Sequence, residues 1–164
     1  MNKQIERYKE FATKIEAKYN QEPDNYLGLQ GDIFTVLKEL PNKKQSIVFS
    51  FKVSRAAYHS YHYTNYAYLS VNNEKVKTLH IKKTFVSKLL PIKNSYSLVD
   101  SSNSYGVSII ELMNKYQIEV VEEIFYSKSL EHGSTISIKC NSTFLELQEL
   151  MSLYDFVIDV SNIL

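Results

Sequence analysis

Between Ser54 and Lys83 the chain reads SRAAYHSYHYTNYAYLSVNNEKVKTLHIKK, with five tyrosines, three histidines and four lysines. Ammonium and guanidinium groups neutralise phosphates, and phenol faces stack on unpaired bases of any sequence. A tract that interleaves the two suits an anionic polymer. Arg55, Lys75, Lys77, Lys82 and Lys83 are the candidates to meet phosphates, and Tyr66 and Tyr68 the candidates to stack. The competing structural account is that tyrosines fill a two-faced strand and that lysines guard a sheet edge against aggregation.

The histidines supply a second chemistry. His62 and Thr64 form HxT, and His132 and Ser134 form HxS. The pair resembles the two-histidine phosphoesterases, in which each histidine and its hydroxyl neighbour project to one face of a strand. That resemblance implies metal-independent cleavage of a phosphodiester or a 2′,3′-cyclic phosphate. His62 and His132 would then serve as general base and general acid, with Thr64 and Ser134 holding phosphate oxygens. Imidazole titrates near neutral pH, as such a role requires. The family favours apolar residues around each histidine, whereas Glu131, Gly133 and Thr135 flank this second motif.

Other chemistries lack their residues. The four glycines, Gly28, Gly31, Gly106 and Gly133, form neither GxxxxGK nor GxGxxG, so no glycine-rich phosphate cradle is expected. There is no GxSxG nucleophile elbow and no HExxH zinc pair. Cys140 is the one cysteine, which excludes an intrachain disulfide; beside Ile136 and Ile138 in an alternating run it is expected to be a buried small hydrophobe. Glu119, Glu122 and Glu123 are expected to form the solvated edge of a strand, without metal. No cofactor is expected.

Charge is distributed unevenly along the 164 residues. The whole chain is +1, yet residues 41–99 hold ten basic groups against the single acid Glu74, and residues 100–164 hold three against ten. Such asymmetry points to an anionic partner for the basic part, to mutual neutralisation within the fold, or to a homodimer in which the two parts meet across copies. Apolar residues at 44% and charged ones at 23% are ordinary globular composition. No apolar run approaches the roughly 18 to 20 residues of a membrane span, and the charged MNKQIERYKEF is unlike a signal peptide. A cytoplasmic location is expected.

The elements that must carry these residues follow from periodicity. Ile5, Tyr8, Ala12, Ile15 and Tyr19 make a helical stripe, broken by a turn at QEPDN. GDIFTVLKELP fits a helix capped by Asp32 or a β-branched strand, and the helix is favoured. After a turn at PNKK, QSIVFSFKV alternates Ile47, Phe49, Phe51 and Val53 inward. YHYTNYAYLSV and KVKTLHI are expected to form a hairpin across NNE, with His62, Thr64, Tyr66 and Tyr68 on one face and Tyr61, Tyr63, Ala67, Leu69 and Val71 on the core side. A short helix is expected over KKTFVSKLL and a loop over NSYSLVDSSNS. A helix from Tyr105 to Tyr116 is expected to switch to a strand that pairs with STISIKC, with a continuous helix through Val120 and Ile124 as the competing reading, and a helix capped by Thr143 and Glu146 closes the chain.

Together these predict one α+β domain over residues 1–164: a mainly antiparallel sheet with N-terminal and C-terminal helices packed on it. The expected function is to bind an anionic partner, nucleic acid first, through a basic, tyrosine-rich surface over residues 55–93. The alternatives are the two-histidine enzyme and an inhibitor or immunity-type protein that binds another protein.

Overall fold

The computed structural model describes residues 2–26, 29–55, 61–71, 78–84, 96–99, 104–116, 118, 120–129, 133–141 and 145–164. Strands β1 (Lys18–Tyr26), β2 (Leu29–Leu40), β3 (Gln45–Arg55), β4 (Tyr61–Ser70), β5 (His80–Lys83), β6 (Tyr96–Leu98), β7 (Val121–Ser129) and β8 (Gly133–Cys140) form one antiparallel sheet. Its order is β1-β2-β3-β4-β8-β7-β5-β6. Three helices among the described residues, α1 (Asn2–Lys14), α2 (Ser104–Tyr116) and α3 (Leu147–Ile163), complete an α+β fold.

All three helices lie on one side of the sheet. Alternation turns Ile47, Phe49, Phe51 and Val53 of β3 to that side, and all four are buried. Phe11 of α1 meets Phe49 edge-on at 5.0 Å, and Tyr154 of α3 lies 6.3 Å from the same ring. Tyr8 stacks on Phe51 at 5.2 Å. Its hydroxyl reaches Asn65, a buried polar residue whose Nδ2 donates to the Asn141 carbonyl at 2.9 Å. The α2 helix approaches β6 through Gly106, where a Cβ would stand 2.2 Å from Leu98 Cδ2. Its Tyr116 packs edge-on against Phe156 of α3 and donates to Asp159 Oδ2 at 2.7 Å.

Several expectations hold and several are corrected. The alternation of β3 and of β4 is as expected, as are α2, the β7–β8 hairpin and the Glu10–Lys14 pair on α1. The first helix stops at Lys14, Glu16 takes a positive φ of 52°, and Tyr19 belongs to β1. QEPDN is therefore strand, not turn; β1 is the sheet's edge, where a proline that cannot donate is tolerated. GDIFTVLKEL is also strand, ending before the 3-10 turn Pro41–Lys43: pairing on both sides, with β1 and β3, outweighs its helical stripe and buries Phe34 and Val36 in alternation.

The hairpin expected across NNE does not form, because β4 pairs with β3 and β8, while His80–Lys83 pairs with β6 and β7. Tyr96–Leu98, expected as loop, is β6. Of the helix expected over KKTFVSKLL, Lys82 and Lys83 are strand and the part from Phe85 on lies outside the described residues. At the start of α3, Glu146 is the N-cap and exchanges bonds with Glu149, so the capping box falls three residues later than Thr143, which itself lies outside the described residues.

Gly31 of β2 shows how closely the sheet is wound. A Cβ there would lie 2.2 Å from the Val53 carbonyl oxygen, a backbone atom that cannot rotate away. Gly31→Ala is expected to cost about 2 kcal/mol, the scale of overpacking. Urea unfolding checks it, and an unchanged midpoint would show that the β2–β3 backbone yields freely.

Candidate binding face

The side of the sheet opposite the helices has no described element over it. Register places its side chains in rows. One row runs Lys18, Leu37, Val48, Tyr68, Ser137, Phe125, His80, and the next runs Asn20, Thr35, Ser50, Tyr66, Lys139, Glu123, Lys82. Tyr66 and Tyr68 therefore sit near the middle of the open face, as the alternation of β4 predicts. Their rings stack on each other, centroids 5.6 Å apart at 14°. Burial, then the neighbouring Tyr66 phenol, pushes the Tyr68 hydroxyl above its ordinary pKa, so it stays neutral and able to donate.

Half-buried apolar side chains surround the pair: Ile33 and Leu37 of β2, Val48 of β3 and Phe125 of β7. None of these was among the candidate residues. For Ile33 and Leu37 the signal is present in IFTVLK, where apolar residues fall on both faces of an alternating run, a pattern that a helical assignment conceals. The partner strand of Tyr68 contributes Ser137, which is buried between flanking rows. A hollow of about 570 Å³ opens beside Tyr68, lined by Ser46, Val48, Ser70, Ser127, Thr135 and Ser137.

The cations of this face meet carboxylates. Lys52 Nζ lies 2.5 Å from Asp24 Oδ2, Lys82 Nζ lies 3.2 Å from Glu123 Oε1, and Lys139 Nζ lies 3.7 Å from Glu122 Oε2. By register the described open face presents Lys18, Lys52, Lys82 and Lys139 against Glu22, Asp24, Glu39 and Glu123, a balance of charge. Lys83 follows Lys82 on the strand and so projects to the helical side with Ile81. Lys43 donates to the Ser161 carbonyl at the end of α3, away from the face. Arg55 is described by its backbone, opposite Tyr61; Lys75 and Lys77 lie outside the described residues.

Glu122 and Glu123 are not on an edge, since β7 runs between β8 and β5 and carries a bulge between Val121 and Glu123. Glu119 lies outside the described residues. His80 Nε2 approaches Glu123 Oε1 at 2.6 Å. Partial burial by itself would raise the Glu123 carboxyl, but the hydrogen bonds and charges of His80 and Lys82 outweigh it and hold the group below its ordinary range. A depressed carboxyl stabilises the fold above its unfolded pKa, and that contribution disappears as pH falls through the folded value. Glu123→Gln is thus expected to be less stable than the parent at neutral pH, with the gap closing below about pH 4. Unfolding midpoints measured across that range check it; a gap that persists undiminished in acid would contradict it.

Thr64 of the HxT and Ser134 of the HxS are not brought together. Thr64 pairs with Lys52 and projects to the open face, whereas Val71 N–H donates to the Ser134 carbonyl at 2.8 Å, at the far end of β4. Seven residues of strand separate those levels, about 23 Å at roughly 3.3 Å per residue. Ser134 also turns to the helical side, where its hydroxyl bonds Tyr126 Oη at 2.9 Å. His62 is described by its backbone, opposite Ser54, and His132 lies outside the described residues. Cys140 is fully buried, and burial followed by the charges of Glu122 and Glu149 pushes its thiol up to about 12. It is no nucleophile in this state. Among the described residues no three metal-ligating side chains gather, and no helix is long and apolar enough to cross a membrane. No protein-family model, no curated protein and no solved structure matches this chain.

Proposed function

We propose that this chain is a non-catalytic binding protein that holds another protein on the open face of its sheet, with Tyr66 and Tyr68 as central anchors. One observation carries this reading: the described helices cover a single side, yet the other side, over which no described element lies, keeps Leu37, Val48, Tyr68 and Phe125 half-buried along one row that also holds the buried Ser137, with Tyr66 stacked beside Tyr68. A solvated sheet face ordinarily alternates to polar residues, and a contiguous apolar band marks an interaction surface. Tyrosine is enriched at interface centres, where its ring supplies area and its hydroxyl a hydrogen bond.

Charge and size select the class of partner. Affinity for a polyanion comes from unbalanced cations, and three of the four described lysines of this face, Lys52, Lys82 and Lys139, lie within 4 Å of a carboxylate. The rings also occupy one of each other's faces, leaving fewer for a base to stack on. Six strands from β2 to β5 at about 4.8 Å, over some 20 Å of strand, span roughly 580 Å² before side-chain relief is added, near the ~800 Å² per partner of a standard protein interface.

A photo-cross-linking residue at position 66 tests the reading in the source cell. The expected product is a discrete protein adduct that resists nuclease and moderate salt, disappears with Tyr68→Asp, and does not form from Asp155 on the helical side. Adducts removed by nuclease would assign the face to nucleic acid, and equal adducts from positions 66 and 155 would discard it as a docking surface.

A further inference from the structure

We propose that the hollow beside Tyr68 is the anchor pocket of this face and takes one uncharged amide side chain, asparagine or glutamine, from the docked partner. This rests on the docking reading. At about 570 Å³ the hollow has the size of a small-ligand site, ample for a single inserted side chain. It lies at the end of the apolar band, where Val48 and Tyr68 form one wall and the hydroxyls of β3, β4, β7 and β8 the others.

The lining selects the chemistry of the occupant. No described lining residue is charged, so a carboxylate or ammonium entering it would give up hydration with no counter-charge among them. A purely aliphatic group would cover five hydroxyls without bonding them. The hydroxyls already form two pairs. Ser70 Oγ accepts from the Ser46 amide at 2.6 Å and from Ser46 Oγ at 3.4 Å, and Ser127 Oγ shares a bond of 2.9 Å with Thr135 Oγ1. In each pair one hydroxyl donates to the other, and the second retains its proton for an outside acceptor. The pairs thus offer donors and acceptors together at fixed positions. A carboxamide presents the complement, one carbonyl oxygen with two lone pairs and an NH₂ with two protons. Its methylene stem would lie against Val48 and the Tyr68 ring.

The isotope-labelled chain, titrated separately with propionamide, propionate and propylammonium and followed by NMR, gives the test. Propionamide is expected to move the Ser70, Ser127, Thr135 and Ser137 signals along a saturable curve, and neither charged analogue to do so. Thr135→Val, which removes a hydroxyl at nearly constant volume, is expected to weaken the response about tenfold, the effect of one lost hydrogen bond. Ser137→Leu, which fills the hollow, should abolish it, and the amide spectrum of each variant reports whether it has folded. Equal responses to the charged analogues, or no saturable response at these residues, would overturn the proposal. Loss of the position-66 protein adduct is a separate result, so failure of the pocket and failure of the docking face are distinguishable.

Discussion

Phe51→Ala is expected to lower the unfolding free energy by about 4 kcal/mol, the scale of a fully buried phenylalanine reduced to alanine. Phe51 is 1% exposed and joins three elements by ring contacts, to Tyr8 of α1 at 5.2 Å, Phe34 of β2 at 5.8 Å and Tyr63 of β4 at 6.0 Å. Deleting it leaves a void that the flanking strands cannot close, because their own hydrogen bonds hold them at fixed spacing. Domains of this size have about 5–15 kcal/mol in total, so the variant would retain little margin. Phe125→Ala, on the open face, is expected to cost only about 1 kcal/mol by comparison. Urea unfolding of both variants checks the contrast. Equal losses would mean that the two faces of the sheet are alike in energy, and the assignment of one of them as uncovered would fail.

The second large effect concerns the proposed docking. Tyr68→Ala is expected to weaken the partner captured through position 66 by about 100-fold, the scale of a central aromatic anchor. Tyr68→Phe is expected to weaken it less than tenfold, since it keeps the ring and removes a single hydrogen bond. The alanine variant should also lose about 1 kcal/mol of stability with its half of the stacked pair. Stability and binding therefore part company: Phe51→Ala takes the larger share of stability without altering the open face, and Tyr68→Ala costs little stability and impairs the face. A modest salt dependence belongs to the same expectation, because Lys52, Lys82 and Lys139 on the face each have a carboxylate within 4 Å. A fall of several orders of magnitude across a fourfold change in salt would point to phosphate contacts instead.

Part of the uneven charge of the linear chain is neutralised within the fold. The excess of lysine over residues 41–99 suggested a single basic surface. Among the described residues, antiparallel pairing sets Lys52 beside Asp24 of β1 and Lys82 beside Glu123 of β7, acids that lie 28 and 41 residues away in the chain; Lys75, Lys77, Lys88 and Lys93 lie outside the described residues. Neutralisation of this kind cannot be read from local composition, because it depends on which strands become neighbours. Lys82 and Lys83 are a local case with the opposite lesson: once β5 is known to be a strand, alternation alone sends them to opposite sides.

Composition and short-range periodicity by themselves determined that this chain is an α+β domain, which face of β3 and of β4 would be buried, and that Tyr66 and Tyr68 would share the other. Those are properties of a residue and its neighbours two or four places along, where stereochemistry repeats regularly. Tertiary structure alone decided that β2 is a strand, that β4 pairs with β8 in place of the nearer β5, and that no described element covers the tyrosine face. These depend on contacts between distant segments, whose cooperative burial outweighs local preference of a few tenths of a kcal/mol per residue.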